Sequence, residues 1–248
     1  MASGHGFASF QDAWRNYLAD KLCYLGTVDA LHVEAPNTCF FAYFAGETPR
    51  VFSSIFLNVP CLSKQQARIN ALWLNSALNM IQLFRERNPT GWFKIKQYIL
   101  EGLKIIDVDA IDADSLKNLE ATFNDISQED FPCLWQQFFT CIPGDMIDGK
   151  LRRGIMNAFG LDEATWASLR ARTCNGRLVL DRAITRLFFP SKPSKEIDAF
   201  LHAIYRDLLV EIIIEKNNIT RCKPDPSEGE ADGDGNMGAG DSELGEGA

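Results

Sequence analysis

The sequence predicts a mainly α-helical protein with a small antiparallel β-sheet near its N-terminus. From Ser63 onward, apolar residues recur every three or four positions, which is the spacing of helices laid on a core. Before Ser63, short runs rich in β-branched and aromatic residues are separated by turns that contain Pro36 and Pro49. With 248 residues, of which 46% are hydrophobic, the chain can bury a substantial core.

The first elements are a helix and a group of strands. Ser9 can cap an N-terminal helix in which Phe10 and Leu18 share the apolar face. Two or three antiparallel strands are predicted next, at residues 28–34, 38–45 and 51–57. Ser63 then caps a long helix that ends near Arg87, because basic residues suit the carbonyl end of the helix dipole.

The rest of the chain is predicted to be helical up to an acidic tail. The helices are expected at residues 91–106, 114–124, 128–140, 145–159, 162–172, 177–188 and 195–216. Gly160 is placed to end one of them. The last helix carries more apolar surface than a lone terminal helix can hide, so it either packs across the core or docks on a neighbouring protomer. Residues 223–248 hold eight acids and one lysine among Gly, Ser and Pro, and we expect them to be disordered.

Charge is sorted into blocks along the chain. Between Arg50 and Lys104 there are eight basic residues and two acids, and between Lys150 and Lys195 there are ten and three. The intervening residues 105–149 hold ten acids and one lysine. Clustered Lys and Arg collect phosphates, so two basic blocks predict a polyanion held between two parts of the fold. Aromatic residues interleaved with the second block can stack on unpaired bases or fill the core: Phe159, Trp166, Phe188 and Phe189.

No catalytic or metal-binding motif accompanies this charge pattern. The run from Asp107 to Asp114 fails the EF-hand spacing and is expected to cap a helix. The seven cysteines are odd in number and form no C-x-x-C pair, so buried thiols are expected rather than disulfides. A cysteine that lay beside His32 or His202 in the fold would form a cysteine-hydrolase site, and the sequence contains no motif that indicates such a pair. We therefore expect no enzymatic activity, no metal and no cofactor.

The N-terminus and the longest apolar runs indicate the cellular compartment of the protein. Met1 to Gly6 lack the basic and apolar regions of a signal peptide, and the longest apolar runs fall short of a membrane span. We expect a soluble intracellular protein without a membrane partner.

The segment from Lys150 to Trp166, KLRRGIMNAFGLDEATW, resembles part of a known family. It is similar to the C-lobe segment of the nucleoproteins of bunyavirus-like segmented negative-strand RNA viruses, in particular the orthobunyavirus-like ones. In that segment a basic helix runs into a short Gly/Leu turn and a second helix starts with an acid, Ala and Trp. The order of elements from Phe7 to Asn217 is similar as well.

The resemblance implies a two-lobed helical nucleoprotein that holds single-stranded genomic RNA in a basic groove and oligomerises into a ribonucleoprotein. It implies host cytoplasm and virion as locations, and the viral polymerase as a further partner. The implied regions are an N-terminal arm (1–9), an N-lobe with the small sheet (10–106), a basic C-lobe (107–193), a terminal helix or arm (194–222) and the disordered acidic tail (223–248).

The same resemblance, together with the basic blocks, assigns two sets of residues. The RNA-binding set is Arg68, Arg85, Lys94, Lys96, Lys150, Arg152, Arg153, Arg170, Arg172, Arg177, Arg182 and Arg186. The oligomerisation set is Phe7, Phe10, Phe200, Ile204, Leu208 and Ile212. The alternative is a helical viral matrix-like or accessory module, whose basic blocks bind acidic partners or an anionic membrane.

Overall fold

The computed structural model describes residues 9, 11, 16–18, 21–31, 33–35, 39–52, 56–61, 63–86, 93–94 and 97–221. For Glu86, Phe93, Lys94, Gln97, Leu100 and residues 219–221 it describes the backbone alone. The fold is mainly helical with short antiparallel strands near the N-terminus, as the sequence predicts. The acidic tail and the N-terminal residues Phe7 and Phe10 lie outside the described residues.

Short strands pair in antiparallel fashion in the first part of the chain. The strands are β1 (Leu22–Cys23), β2 (Leu25–Val28), β3 (Ala30–Leu31), β4 (Ala42–Phe44), β5 (Arg50–Val51), β6 (Phe56–Val59) and β7 (Phe93–Lys94). The largest sheet has the order β4-β2-β6, with Gly26 opposite both Tyr43 and Asn58. All four residues of β2 are buried, so this central strand anchors the sheet on the helices.

Helices form most of the remainder of the described chain. They are α1 (Lys64–Asn75), α2 (Ala77–Glu86), α3 (Gln97–Gly102), α4 (Ala113–Ile126), α5 (Leu134–Cys141), α6 (Gly149–Phe159), α7 (Glu163–Arg170), α8 (Asn175–Phe188) and α9 (Ser194–Arg221). Aspartates accept backbone hydrogen bonds at three N-termini, where Asp112 caps α4, Asp148 caps α6 and Asp162 caps α7. Gly160 adopts a left-handed conformation with φ 60° and ends α6, as predicted.

The predicted helix from Ser63 to Arg87 is two helices, because the chain breaks at Ser76. The Ser76 hydroxyl donates to the Trp73 carbonyl at 2.7 Å and accepts from the Asn79 amide at 3.2 Å, so it serves both helix ends. The first amide of α2, that of Ala77, donates to the buried carboxylate of Asp181 at 2.8 Å. The carboxylate of Asp181, which is distant in sequence, therefore accepts the hydrogen bond of a helix-terminal amide that Ser76 does not cap.

Three other predicted helices begin four or more residues later than expected. The helix expected at 91–106 is the shorter α3, which ends at Gly102, and residues 93–94 form β7 instead. The helix expected at 145–159 begins at Gly149, because Gly144–Met146 form a separate 3₁₀ turn. The helix expected from residue 128 begins at Leu134, just beyond Pro132. A proline disfavours helical backbone at the residue before it, which delays the start of α5.

The last helix, α9, belongs to the core. Ile204, Leu208 and Ile212 are 6%, 2% and 0% exposed, and they join the main hydrophobic cluster. The helix contacts α2, α5, α6 and α8. The prediction that Ile204, Leu208 and Ile212 mediate oligomerisation is therefore wrong for this fold, because the chain buries their side chains in its own interior. Phe200, by contrast, is 42% exposed.

One hydrophobic cluster runs through the described chain without a break at the predicted lobe boundary. It includes Leu25 and Leu72 from the first part, Phe138 and Ile184 from the second, and Leu209 of α9. Within the described residues, no helix combines the length and apolarity needed to cross a membrane.

Gly176 is expected to resist substitution because α8 starts against the loop before α5. An added Cβ would lie 2.6 Å from Cζ of Phe131 and would also overlap the Glu129 carboxylate. We expect Gly176→Ala to lose about 1 kcal/mol of unfolding free energy, since overpacking costs about 1–3 kcal/mol and the gain in helix propensity is at most about 1 kcal/mol. Urea unfolding measures this difference.

Gly154→Ala is the matched control within a helix. Its Cβ would meet the nearest atom, a methyl group of Ile213, at 3.8 Å, which is an ordinary contact. This variant should be as stable as the parent chain or gain about 0.4–1 kcal/mol. A Gly176→Ala variant that is also stabilised would contradict the packing described for the start of α8.

Candidate nucleic-acid interface

The basic stretch from Lys150 to Lys195 retains unpaired positive charge in the fold. Its three acids are already engaged, because Asp162 caps α7, Glu163 pairs with Arg152 and Asp181 pairs with Arg177. Six of its ten basic residues form no ion pair within the described part of the chain. These six unpaired cations are Lys150, Arg153, Arg170, Arg172, Arg186 and Lys195.

The start of α6 presents two of the unpaired cations to solvent. Asp148 fixes this helix end by accepting from the amides of Lys150 and Leu151 at 2.9 and 2.8 Å. Lys150 and Arg153 are exposed and lie one turn apart, so they share a face of the helix. Hydrogen bonds from the Leu151 and Lys150 amides, together with the nearby Arg206 guanidinium, lower the pKa of Asp148. The cap therefore stays charged beside these cations.

Arg152 and Arg182 lie at the surface but are held by carboxylates. Arg152 pairs with Glu163 and lies 5.2 Å from the centre of the Trp166 ring. Arg182 donates from two nitrogens to Asp198, at 2.6 and 3.0 Å. A phosphate would have to displace a carboxylate from either side chain, so these two residues are weaker candidates than Lys150 and Arg153.

Arg170 is the last residue of α7 and Arg172 lies two residues beyond it, in a different environment. Arg170 is partly buried, donates to the Phe139 carbonyl at 2.8 Å and lies 5.2 Å from the centre of the Phe139 ring. Its burial lowers the pKa of the guanidinium. Arg172 is exposed and lines a cavity of about 660 Å³ that Glu129 and Asp130 also line.

Arg177 lies in the interior, and the prediction that it contacts a phosphate is wrong for this fold. Its side chain is 0% exposed, and its Nε lies 2.9 Å from Oδ2 of Asp181. It also donates to the Asn75 carbonyl at 2.7 Å, where α1 ends. Burial raises the pKa of Asp181, while Arg177 and the donors Ala77 and Tyr205 act in the opposite direction. The pair joins α8 to the break between α1 and α2.

The remaining predicted RNA-binding residues belong to the first basic block and to α8. Arg85 is exposed in the last turn of α2, and Arg186 is exposed and donates to Ser194 Oγ at 2.6 Å. Arg68 and Lys64 both pair with Glu47, each at 2.8 Å. Lys96 and the side chain of Lys94 lie outside the described residues.

A cavity of about 390 Å³ lies between the two predicted lobes, and we call it the interlobe cavity. Its lining comes from α1, from β4 and the residues on either side of it, from the end of α4 and the residues after it, and from one residue of α8: Phe40, Ala42, Tyr43, Phe44, Glu47, Arg68, Ala71, Leu72, Asn75, Phe123, Asn124, Ile126, Ser127, Gln128 and Leu180. Exposed Glu47, Asn124 and Gln128 lie at its opening, while buried Leu72 and Leu180 lie deeper. The cavity is thus polar at the opening and apolar inside.

An aromatic cleft of about 780 Å³ lies on another part of the surface. Phe188, Phe189 and Phe200 line it and are 50%, 44% and 42% exposed. Lys104 and Arg186, which form no ion pair within the described residues, line the same cleft together with the helix-capping Asp107 and Asp112. Two of the four aromatic residues interleaved with the second basic block, Phe188 and Phe189, thus reach solvent here.

The other two interleaved aromatic residues are partly buried and pack against the core. Phe159 stacks on Trp135 with ring centres 4.0 Å apart, and Trp166 packs against Phe139 at 5.0 Å. Sequence reasoning missed Phe44 and Phe123, which line the interlobe cavity. Phe123 sits in the acidic block, where no charge pattern marks it as a binding residue.

Two buried cysteines have thiol pKa values well above the ordinary value. Burial raises the pKa of Cys133 to about 11 and of Cys141 to about 12, which disfavours the nucleophilic thiolate. The six described cysteines are free thiols. Among the described residues, no group of three or more His, Cys, Asp or Glu side chains comes together as metal ligands would.

Comparisons with protein-family models, with curated proteins and with solved structures found no match to this chain.

Proposed function

We propose that this chain is a viral nucleoprotein that encapsidates single-stranded RNA and oligomerises into a ribonucleoprotein in the host cytoplasm and in the virion. The observation that carries the proposal is the set of six unpaired cations between Lys150 and Lys195. Cations that already neutralise carboxylates gain little from a polyanion, whereas unpaired ones release counterions from each phosphate they contact.

Other features support a ligand of phosphates and bases. The exposed Arg186 lines the aromatic cleft beside exposed Phe188 and Phe189. Single-stranded nucleic acids bind where a basic surface follows the backbone and aromatic side chains stack on the bases. The predicted roles of Lys150, Arg153 and Arg172 belong to this proposal, and so do the viral polymerase as a partner and oligomerisation through Phe7, Phe10 and Phe200.

The proposal is tested by RNA binding of the full chain across a range of salt concentrations. If all six unpaired cations contact phosphates, the plot of log affinity against log salt has a slope of about −4, because each contact on a single strand contributes about −0.7. Fluorescence anisotropy with a labelled single-stranded RNA measures the slope. Electron microscopy of the same sample should show rings or beaded filaments once RNA is added. Affinity that does not change with salt would overturn the proposal.

A second candidate function is a protein-interaction module, and the aromatic cleft favours it. Phe188, Phe189 and Phe200 expose large apolar surfaces close together, and apolar surface of this kind marks protein-docking sites. A protein that elutes free of nucleic acid, shows no RNA binding and binds anionic vesicles or an acidic protein would support this second function.

A further inference from the structure

We propose that the interlobe cavity binds one unstacked base of the RNA, packed against its aromatic wall and hydrogen-bonded by Arg68. The inference rests on the proposed function, because it takes the ligand to be single-stranded RNA. It adds a base-binding subsite to an interface that is otherwise defined by phosphate contacts.

The walls of the cavity suit a flat aromatic ligand. The rings of Phe44 and Phe123 meet edge to face, with centres 5.4 Å apart and planes at 87°. Phe40 and Tyr43 line the same cavity. A volume of about 390 Å³ lies within the range of about 300–1,000 Å³ that is usual for small-ligand pockets, and it can hold a base with its ribose.

Arg68 supplies an unused hydrogen-bond donor at the wall of this cavity. Its guanidinium carbon lies 5.4 Å and 5.7 Å from the centres of the Phe44 and Phe123 rings. One terminal nitrogen donates to Glu47 at 2.8 Å and Nε is shielded from solvent, whereas the other terminal nitrogen forms no hydrogen bond within the described residues. A carbonyl or ring nitrogen of a base can accept a hydrogen bond from this remaining guanidinium donor.

The opening of the cavity carries groups that suit the rest of a nucleotide. Lys64 and Arg68 share the single carboxylate of Glu47, so two cations and one anion leave a local charge of +1 for a neighbouring phosphate. Asn124 and Gln128 are exposed at the opening, and amide side chains pair with the hydrogen-bonding edges of bases. Aromatic walls, an unused donor and amide groups together favour a nucleobase over an aliphatic ligand.

Phe123→Leu and Arg68→Lys separate base binding from phosphate binding. Phe123→Leu keeps the wall apolar but removes a stacking ring, and Arg68→Lys keeps the charge and removes the planar guanidinium with its terminal donor. We expect each variant to bind single-stranded RNA about tenfold more weakly, while the salt slope stays unchanged because no phosphate contact is lost. Tyr17→Leu is the matched control, because Tyr17 is exposed and lines neither the interlobe cavity nor the aromatic cleft, and it should leave the affinity unchanged. Thermal melting checks that each variant is folded.

Abasic RNA provides the decisive comparison. An oligomer of ribose and phosphate without bases should bind the parent chain and Phe123→Leu equally, since no base is present to enter the cavity. Normal RNA binding by both variants would overturn the cavity assignment alone. Complete absence of RNA binding by the parent chain would instead overturn the proposed function. Tight binding of free uridine monophosphate, lost in Phe123→Leu while RNA binding persists, would also overturn the assignment to RNA.

Discussion

Arg177→Met is expected to destabilise the protein by about 3–5 kcal/mol, because it leaves a buried carboxylate without its cation. Arg177 and Asp181 are 0% and 1% exposed, so water cannot take the place of the missing guanidinium. The substitution also removes the donor to the Asn75 carbonyl at the end of α1. Both losses affect the point where α1, α2 and α8 meet.

Urea unfolding followed by circular dichroism measures this effect. Arg186→Met, on the same helix and exposed, is the control and should change the unfolding free energy by no more than about 0.5 kcal/mol. The double variant Arg177→Met/Asp181→Leu should recover part of the loss, because apolar residues can replace a buried ion pair. Recovery should be incomplete, since Ala77 and Tyr205 also donate to Asp181. A loss below about 1 kcal/mol for Arg177→Met would contradict the buried pair.

The sequence could predict the helices and the small sheet because their patterns are local. Residue spacing marked the apolar faces, and Gly160 marked the end of α6. The break at Ser76 could not be predicted in the same way, because Asp181 and Arg177 complete it from more than a hundred residues away. Local periodicity carries no information about such long-range partners.

Charge counting could not separate exposed arginines from buried ones. Arg177, Arg182 and Arg186 recur at near-helical intervals, yet the first is buried, the second is paired and the third is exposed. Asp181 follows Arg177 by four residues, which is the spacing of an ion pair on one helix face. That spacing was the one sign in the sequence that Arg177 forms an ion pair. It does not reveal that the pair is buried, because burial depends on how α9 and α5 cover α8.

The sequence could not decide between two roles for the terminal helix. Its apolar surface was equally compatible with packing across the core and with docking on a neighbour. The deciding fact is the position of α9 against four other helices, which buries Leu201, Tyr205 and Leu209 completely. Truncation before α9 should therefore expose the core rather than release a folded monomer.

Replacing Lys150, Arg153 and Arg172 together with alanine is expected to weaken RNA binding about 100-fold at 0.1 M salt. Each phosphate contact on a single strand contributes about −0.7 to the slope of log affinity against log salt, so three lost contacts should reduce its magnitude by about 2. The loss should be similar for RNA of any sequence, because phosphates carry no base information. Stability should change little, since all three side chains are exposed and unpaired within the described residues.

The control for this triple variant must remove the same net charge from other parts of the surface. Arg50, Lys117 and Lys21 are exposed, and none of them lies between Lys150 and Lys195. Lys117 lies in the acidic block, and Lys21 lies outside both basic blocks. If affinity followed net charge alone, alanine at these three positions would weaken RNA binding as much as the first triple variant does. We expect a much smaller loss and a nearly unchanged salt slope, because a phosphate contact depends on an unpaired cation at the interface. Equal losses for the two triple variants would show that the stretch from Lys150 to Lys195 is not the phosphate-binding surface.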